Sequence, residues 1–372
     1  MHQDGQIVTE YLTENLVHLR GEQARPERAS ELSLDHAHRG LDVRIAPVDS
    51  HFGRRVARSM VASLTEQAVY STPLGSLYHG DSLVLMRKLD TASIDLVMTS
   101  PPYALHFKKE YGNASAQEYT AWFAPFAQEI RRVLKPNGSL VLNLGGSWTP
   151  GVPTRSLYQF RVLLSLCDDL GFHLAQEFFW YNPAKMPAPA EWVNVRRIRV
   201  KDAVEYIFWL SPSEYPKADN SAVLQEYSPD MKRLIRRGIA PTKRPSGHII
   251  KSSMSEDKGG AIPPNLITCG NNESNSQYIH QSKNTGRKIH PARFPAELPR
   301  FFMRFLTTER DLVLDPFAGS NTTGAVAESL NRRWIGIEKD RQYAEDSQLR
   351  FLEPSEDETT TGAPAQVRLF AK

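Results

Sequence analysis

The sequence has few cysteines, no long apolar run and almost no net charge. Its 372 residues include only Cys167 and Cys269, whose separation fits neither a disulfide framework nor a paired zinc site, so we expect no metal. No segment approaches the roughly 20 apolar residues that span a bilayer. The N-terminus also lacks the basic and apolar regions of an export signal. These absences predict a cytoplasmic protein with no membrane partner, and the net charge of +3 excludes no other partner.

The two ends of the chain differ in composition from the part between them. Residues 1–70 are polar and charged, which predicts a mobile extension, and residues 353–372 are acidic and rich in Thr, which predicts a disordered tail. Between them, short runs rich in Val, Ile, Leu and aromatic residues alternate with amphipathic stretches, which is typical of an α/β protein. The predicted strands are 76–79, 94–99, 139–144, 173–181, 204–210, 311–315 and 333–338.

Two amphipathic helices are predicted between these strands. The first has apolar residues at three- and four-residue spacings from Tyr119 to Leu134, with Ser115 as its N-cap. Pro125 lies inside this helix and should kink it or divide it in two. The second helix runs from Leu157 to Leu170 and stops at Gly171.

Positive charge is concentrated in an irregular segment, residues 213–288. It contains 12 Lys or Arg against 7 Asp or Glu, is rich in Pro, Gly, Ser and Asn, and has weak helix and strand signals. A second basic cluster, Arg196, Arg197, Arg199 and Lys201, lies just upstream. Such runs can be merely solvated surface. The alternative is a surface that neutralises phosphates and reads base edges.

The first informative motif is DLVMTSPPY, residues 95–103. An apolar strand runs into Ser100 and then into two prolines, which fix the backbone and present carbonyl groups without competing N–H groups. Ser100 Oγ and the Pro101 carbonyl can accept hydrogen bonds from an amino group, and Tyr103 can stack on the ring that carries it. A lone Pro-Pro pair is usually an ordinary turn, but an aromatic residue directly after it at a strand end favours a ligand site.

The second motif is DLVLDPFAGSNTTG, residues 311–324, followed by a helical stretch and the strand RWIGIE. This arrangement of strand, glycine turn, helix and strand is typical of a nucleoside site. Gly319 lets the backbone approach the ligand, and Glu338 can accept hydrogen bonds from ribose hydroxyls. Ala325 replaces the Lys of a phosphate-binding P-loop, and the G-x-G-x-x-G spacing of dinucleotide sites is absent. Asp315 before the turn suits a cationic amino-acid group. The combination points to S-adenosylmethionine.

The two motifs, in this order, resemble motifs IV and I of amino-group DNA methyltransferases of the permuted β class, over roughly residues 72–352. Further segments are similar to the PvuII-type N4-cytosine methyltransferases, among them EWVNVRRIRVKDAV, RPSGH and HPARFP. The resemblance implies a Rossmann-like, circularly permuted, S-adenosylmethionine-dependent methyltransferase fold, with a mixed, mostly parallel sheet flanked by helices. It also implies a catalytic half at 71–212, a target-recognition insertion at 213–288 and a cofactor-binding half at 289–352.

The resemblance assigns roles to residues at matching positions. The catalytic residues are Ser100, Pro101, Pro102 and Tyr103. The cofactor-binding residues are Asp81, His290, Phe294, Asp315, Phe317, Gly319, Ser320 and Glu338. The DNA-binding residues are Arg196, Arg197, Arg199, Lys201, Arg244 and His248. Simpler roles stay open for three of them, since Asp81 can cap the following helix, His290 can be an ordinary buried histidine and Phe294 can be core.

One position departs from the PvuII-type pattern. Asn143, in VLNLGG, stands where that pattern has an acidic residue, and a carboxylate there could help to polarise Ser100. An asparagine cannot act as a base, so a proton relay through position 143 is not expected. The methylated amine could lose its proton to solvent instead.

The resemblance implies methyl transfer from S-adenosylmethionine to the N4 amino group of a cytosine flipped out of double-stranded DNA. It further implies a monomer, a CAGCTG-like target and a companion restriction endonuclease for the same site. N6-adenine methylation uses the same amine chemistry and stays open, although Ser100 before Pro-Pro favours cytosine. A catalytically inactive DNA-binding regulator is a third reading. C5-cytosine methylation is disfavoured, because neither cysteine stands where a nucleophilic thiolate is expected.

Overall fold

The structure, a computed structural model, describes residues 64, 67–104, 114–243, 245–247, 249–271, 277–287 and 289–351. These residues form one nine-stranded sheet with helices on both faces, and a separate two-stranded ribbon. The strands are β1 Tyr70–Ser71, β2 Gly75–His79, β3 Ile94–Thr99, β4 Leu134–Leu144, β5 His173–Tyr181, β6 Val204–Ser211, β7 Thr242–Lys243, β8 Ile249–Ile250, β9 Leu266–Thr268, β10 Leu312–Asp315 and β11 Arg333–Glu338. The α-helices are α1 Ser82–Met86, α2 Tyr119–Val133, α3 Tyr158–Leu164, α4 Pro229–Arg237, α5 Gln277–Asn284, α6 Glu297–Leu306, α7 Thr322–Ser329 and α8 Arg341–Asp346.

The strand order in the large sheet is β1-β2-β11-β10-β3-β4-β6-β5-β9. Strands β2, β11, β10, β3 and β4 run parallel to one another, while β1 is antiparallel to β2 and β6 is antiparallel to both β4 and β5. The predicted fold class, a mixed and mostly parallel sheet flanked by helices, is confirmed. All seven predicted strands are present, and six of them agree within one residue at each end.

The permuted chain order brings its two informative motifs together in space. Strand β10, near the C-terminus, pairs with β3 through Val313 and Leu96. Thr99 and Asp315, which end these strands, are hydrogen-bonded although 216 residues separate them. Because parallel strands end at the same edge of a sheet, the turns after β2, β3, β4, β10 and β11 all meet there.

The core lies on both faces of the sheet. Along β4, Leu140 and Leu142 pack with the helices of one face, while Val141 between them packs with the helices of the other. This is the two-residue alternation of a strand that is covered on both sides. Helix α2 buries Phe123 and Ile130 on the first face. Each such side chain contributes roughly 1.5–3 kcal/mol when fully buried.

Three local expectations need correction. Helix α2 is a single helix with Pro125 inside it and is not divided, because its buried face continues past the proline through Ala127 and Ile130. Strand β4 begins at Leu134, five residues before the prediction, since the chain pairs with Ile94 directly after α2 ends and then shifts register. The predicted second helix is α3 followed by a π-helical turn, Ser165–Asp169, and it ends at Gly171 as expected.

The segment 213–288 has more regular structure than its sequence indicates. It contains α4, the ribbon β7–β8, strand β9 and α5, and β9 pairs with β5 at the edge of the large sheet. Helix α4 has no buried residue. No helix within the described ranges is long and apolar enough to cross a membrane.

Candidate active site

A cavity of about 800 Å³ opens at the edge of the sheet where the parallel strands end. It contains most of the residues that the two motifs predicted. The predicted residues in its wall are Asp81, Ser100, Pro101, Pro102, Tyr103, His290, Phe294, Phe317, Gly319, Ser320 and Glu338. The turn that holds Ser100 therefore shares one cavity with the glycine turn and with Glu338.

Glu338 ends β11 and is held in place by backbone N–H groups. Its Oε2 accepts a hydrogen bond from Gly319 N at 2.8 Å, and its Oε1 accepts one from Asp340 N at 2.8 Å. Burial raises the pKa of Glu338, and these two hydrogen bonds oppose that rise. Each oxygen can still accept a second hydrogen bond, so the carboxylate is arranged to receive two hydroxyl donors.

Gly319 packs directly against the His290 ring and donates its N–H to Glu338. Gly319 has a φ of +52°, and a Cβ at this position would lie 3.1 Å from His290 Cε1. His290 is buried, and its Nδ1 lies 2.6 Å from the Ala292 carbonyl oxygen and 3.3 Å from Ala292 N. Burial lowers the pKa of His290 to about 4, and the ring is therefore neutral at physiological pH.

Asp81 and Phe317 both reach the cavity and also have a structural role. Asp81 Oδ1 caps α1 by accepting hydrogen bonds from Leu83 N and Val84 N, which confirms the capping role left open above. Phe317 packs on Trp122 and Phe126 of α2, with ring centroids 6.0 Å and 5.2 Å apart. These two aromatic residues line the cavity, but their helical spacing had indicated only a buried helix face.

Asp315 is not in the cavity wall, which corrects the expectation that it faces a cationic group. Its side chain is buried, with Oδ1 accepting from Thr99 Oγ1 at 2.7 Å and Oδ2 from Thr323 Oγ1 at 2.6 Å. Oδ1 also accepts from Phe317 N at 3.1 Å. Burial raises the pKa of Asp315 to about 6, against the effect of these hydrogen bonds. The Asp315 carboxylate therefore stabilises the turn from the protein interior, because the groups that donate to it belong to Thr99, Phe317 and Thr323.

The turn after β3 is fixed by hydrogen bonds to its neighbours. Tyr119 of α2 donates to the Pro102 carbonyl oxygen at 2.7 Å. Ser100 Oγ lies 3.1 Å from Tyr103 Oη, which in turn donates to Glu205 Oε2 at 2.7 Å. The Tyr103 ring packs closely on Gly145, where a side chain would overlap it. Stacking of Tyr103 on a base stays a prediction.

Two residues of this network, Asn143 and Glu205, were not among the predicted site residues. Both line the cavity. Asn143 lies near the end of β4, and Glu205 lies near the start of the antiparallel strand β6, so the pairing of β4 with β6 brings them together. Only this pairing shows that Glu205 faces Tyr103. The sequence signal that could have found it is an acidic residue within an otherwise apolar strand.

The predicted DNA-binding residues divide into two groups. Arg196 and Arg197 are exposed, and Arg196 pairs with Glu191 at 2.8 Å. Arg199 is used internally through a pair with Asp202 at 3.1 Å, and Lys201 donates to two backbone carbonyl groups. Arg244 and His248 lie outside the described residues.

Neither cysteine is suited to act as a nucleophile. Burial raises the pKa of the Cys269 thiol to about 12, and burial with nearby Asp168 raises that of the Cys167 thiol. The thiolate is the reactive form, so both positions disfavour the chemistry of C5-cytosine methylation.

Comparison with known proteins assigns the chain to a family. The profile of the DNA methylase family, which covers N6- and N4-directed enzymes, matches residues 94–349. The chain is 52% identical to the type II methyltransferase M.PvuII of Proteus hauseri over 291 residues, 77% of this chain and 87% of that protein. It is 26% identical to the type II methyltransferase M.BglII of Bacillus subtilis over 76% of this chain and 71% of that protein.

A solved structure shows the same architecture. The PvuII DNA methyltransferase, described as cytosine-N4-specific, matches with a TM-score of 0.64 and 47% identity, over 78% of this chain and 90% of that chain. The fold and the cavity define a methyltransferase that acts on an amino group. The chain belongs to the N6/N4 DNA methylase family. The predicted family and its cofactor, S-adenosylmethionine, are thereby confirmed.

Proposed function

We propose that this DNA methyltransferase methylates the N4 amino group of a cytosine in double-stranded DNA, with Ser100 and Pro101 holding the amine. One observation carries the proposal: the SPPY turn and the glycine turn with Glu338 form the wall of one cavity. The target amine and the methyl donor can therefore meet without a large movement of the protein. The similarity to a cytosine-N4-specific enzyme supports cytosine as the base.

The cofactor end of the cavity fits S-adenosylmethionine. Glu338 presents two oxygens held by backbone N–H groups, which suits the paired hydroxyls of a ribose. The space that a side chain at Gly319 would fill is left open beside His290. Phe317, Trp122 and Phe126 provide an aromatic wall for an adenine ring. Bound S-adenosylmethionine supplies an electrophilic methyl group.

The target end activates the amine by accepting its hydrogens. The amino lone pair of cytosine is delocalised into the ring, which makes the nitrogen a poor nucleophile. Hydrogen bonds from the two N–H groups to Ser100 Oγ and to the Pro101 carbonyl draw the nitrogen toward tetrahedral geometry and return the lone pair to it. Because both acceptors are held rigidly, alignment contributes much of the rate, and effective molarities of about 10⁵ M or more are reached by such positioning.

The base must leave the duplex to reach this cavity. Flipping costs a few kcal/mol of unstacking, roughly, and contacts in the pocket offset that cost. We assign the exposed Arg196 and Arg197, with the basic insertion at 213–288, to the DNA backbone and to target recognition. The enzyme acts as a monomer beside a companion restriction endonuclease, and a CAGCTG-like target is expected from the extent of the similarity.

Single-molecule sequencing of DNA from cells that express the protein tests the proposal, because it reports both the methylated base and its context. We expect N4-methylcytosine at one short palindromic sequence. Digestion of the same DNA to nucleosides gives an independent measurement. N6-methyladenine without N4-methylcytosine would contradict the proposal, and unmodified DNA with intact DNA binding would support an inactive regulator instead.

A further inference from the structure

A buried chain of hydrogen bonds links Ser100 to a carboxylate. Ser100 Oγ, Tyr103 Oη and Glu205 Oε2 follow one another at 3.1 Å and 2.7 Å. Asn143 Nδ2 donates to Tyr103 Oη at 2.9 Å. Lys185 Nζ pairs with the other oxygen of Glu205 at 2.9 Å, and the Glu205 side chain is 14% exposed. Three segments of the chain therefore meet at one tyrosine hydroxyl.

The chemistry of these groups sets the direction of every hydrogen bond. An ionised carboxylate can only accept, so Tyr103 donates its single proton to Glu205. Ser100 must then donate, either to Tyr103 Oη at 3.1 Å or to the backbone carbonyl oxygen of Asn143 at 3.3 Å. In both cases the Ser100 proton points into the protein. The lone pairs of Ser100 are left for a donor on the ligand, as the proposed function requires.

Asn143 supports this arrangement and leaves one acceptor open. Its Nδ2 fills the remaining acceptor position of Tyr103 Oη. Its Oδ1 is buried without a hydrogen-bond partner among the described residues, although Asn143 lies in the cavity wall. An unsatisfied buried acceptor costs about 1–3 kcal/mol, so a ligand donor in this part of the cavity would be favoured.

We propose that Glu205 receives, through Tyr103 and Ser100, the proton that the target amine loses on methylation. As nitrogen forms its bond to the methyl carbon, the bond from that carbon to the sulfonium sulfur breaks and leaves a neutral thioether, and an N–H proton passes to Ser100 Oγ. The Ser100 proton passes to Tyr103 Oη, and the Tyr103 proton passes to Glu205 Oε2. Each hydroxyl releases one proton and gains one, so the products are a neutral methylated amine and a protonated Glu205. This inference rests on the proposed function.

The surroundings of Glu205 suit a proton acceptor. Among the residues that the structure describes, the titratable groups that face it are Lys185, Tyr103 and Tyr158. The Lys185 ammonium balances the charge of the carboxylate. Burial, with nearby Glu205, holds the pKa of Tyr103 well above its usual range, so this residue passes a proton on and does not keep a negative charge. Arg155, next to Tyr158, is paired with Asp202 at 2.8 Å and does not compete for Glu205.

The hydrogen-bond relay also accounts for the asparagine at position 143. Asn143 cannot act as a base, and it donates to Tyr103 instead. The carboxylate comes from the neighbouring strand β6, one hydroxyl further from Ser100. Glu205 is therefore a positioning residue for Ser100 as well as the end of the relay.

The test uses the full-length enzyme with S-adenosylmethionine and an unmethylated DNA duplex. The duplex carries the target sequence found by sequencing. Single-turnover rates are measured for Tyr103→Phe and Glu205→Gln across the acidic and neutral range. We expect both variants to lose about tenfold or more in rate, as for loss of a general base. Dissociation constants for DNA and for S-adenosylmethionine should stay within about twofold, since neither substitution removes a predicted binding group.

The pH profile separates this role from a structural one. The wild-type rate should be lower in acid than at neutral pH, because the relay ends on a proton acceptor, and this acidic limb should be weaker in both variants because neither has the relay. The double variant should be no slower than the single ones, because the two residues act as one unit. Tyr206→Phe is the matched control, since it removes a hydroxyl from the adjacent residue of β6, which faces the other side of the sheet.

Two results would overturn the inference. One is a Tyr103→Phe variant with the wild-type rate and pH profile, which is informative because this variant keeps the Glu205 pair with Lys185 and the ring that packs on Gly145. The other is a Glu205→Gln variant whose acidic limb begins at the same pH and is as steep as in the wild type. If the wild-type enzyme forms no N4-methylcytosine at all, the proposed function fails instead, and the two failures are thus distinguished.

Discussion

The two ends of the cavity hold their polar groups in different ways. At the cofactor end, the Glu338 carboxylate is fixed by two backbone N–H groups, one of them only two residues away. At the target end, the Ser100 hydroxyl is fixed by the Tyr103 side chain, which is held in turn by Asn143 and Glu205. A group held by the backbone depends little on which side chains surround it. The target end therefore depends on several side chains together, and a substitution of any one of them should disturb the position of the Ser100 hydroxyl.

The largest expected effect is at the target end, from Ser100→Ala. We expect the rate of methyl transfer to fall on the order of 10²–10³-fold, the range found when one preorganised hydrogen-bonding group is removed from an active site. DNA and S-adenosylmethionine should bind as in the wild type, because the cofactor end is unchanged. Single-turnover methylation and separate binding titrations measure the two effects.

Ser93→Ala is the control for this substitution, because Ser93 lies just before β3 and Ser100 lies just after it. Within the described part of the chain, the Ser93 hydroxyl bonds only the nearby Asp90 carbonyl. A wild-type rate in Ser100→Ala would remove Ser100 from the mechanism. It would also show that the target end does not depend on its side chains as argued.

At the cofactor end, Glu338→Gln should weaken S-adenosylmethionine binding by roughly 10–100-fold, since hydrogen bonds to a charged group contribute about 1.5–3 kcal/mol. Isothermal titration with the cofactor alone measures this change. Binding of duplex DNA without cofactor should be unaffected. Glu345→Gln, an exposed carboxylate of α8 paired with Arg341, is the control. Equal loss of DNA and cofactor binding would mean that Glu338 supports the fold as a whole.

The cofactor end should also show a pH dependence of stability that comes from His290. Its pKa is lowered from 6.5 to about 4 by burial, so folding favours the neutral ring. The resulting stability is present above pH 6.5 and is lost as the pH falls through about 4. His290→Asn cannot titrate, but its amide N–H can replace the bond to the Ala292 carbonyl. The wild type should therefore lose about 3 kcal/mol more than this variant over that range.

Urea unfolding of both proteins at a series of pH values measures the difference. Parallel curves would mean that His290 titrates normally in the folded state. Activity is not needed for this measurement, so the result is independent of the proposed reaction.

The smallest expected effect is that of Gly319→Ala. A Cβ would lie 3.1 Å from the His290 ring and would require a left-handed backbone, so we expect cofactor binding to weaken about fivefold, or roughly 1 kcal/mol. Gly286→Ala is a matched control, because Gly286 also has a positive φ, of +64°, but faces open space. If both substitutions weaken cofactor binding equally, backbone strain and not the contact with His290 is the cause.

Local motifs predicted which residues lie together at the proposed cofactor end, with one exception. Glu338 and Gly319 belong to one strand, turn, helix and strand unit, so their relation follows from a short stretch of chain. Asp315 lies in the same unit but was placed wrongly. Its partner Thr99 comes from β3, 216 residues away in the chain, and no local pattern shows that this threonine turns the carboxylate inward.

The target end was predicted only in part. The SPPY turn is visible as a motif, and its position at a strand end follows from the α/β pattern. The partners of Ser100 beyond Tyr103 are not visible, because they depend on the register of β4 against β6, where Asn143 lies opposite Ile207. A shift of one residue would turn Glu205 to the other face of the sheet.

The sequence by itself determined the class of chemistry, the order of the two halves and the strands that carry the motifs, because these depend on residue types and spacings within short segments. The tertiary structure alone decided which carboxylate reaches Ser100, where Asp315 points and which aromatic residues line the cavity. These depend on pairs of residues far apart in the chain, which only strand pairing and the packing of α2 on the sheet bring within hydrogen-bonding or van der Waals distance.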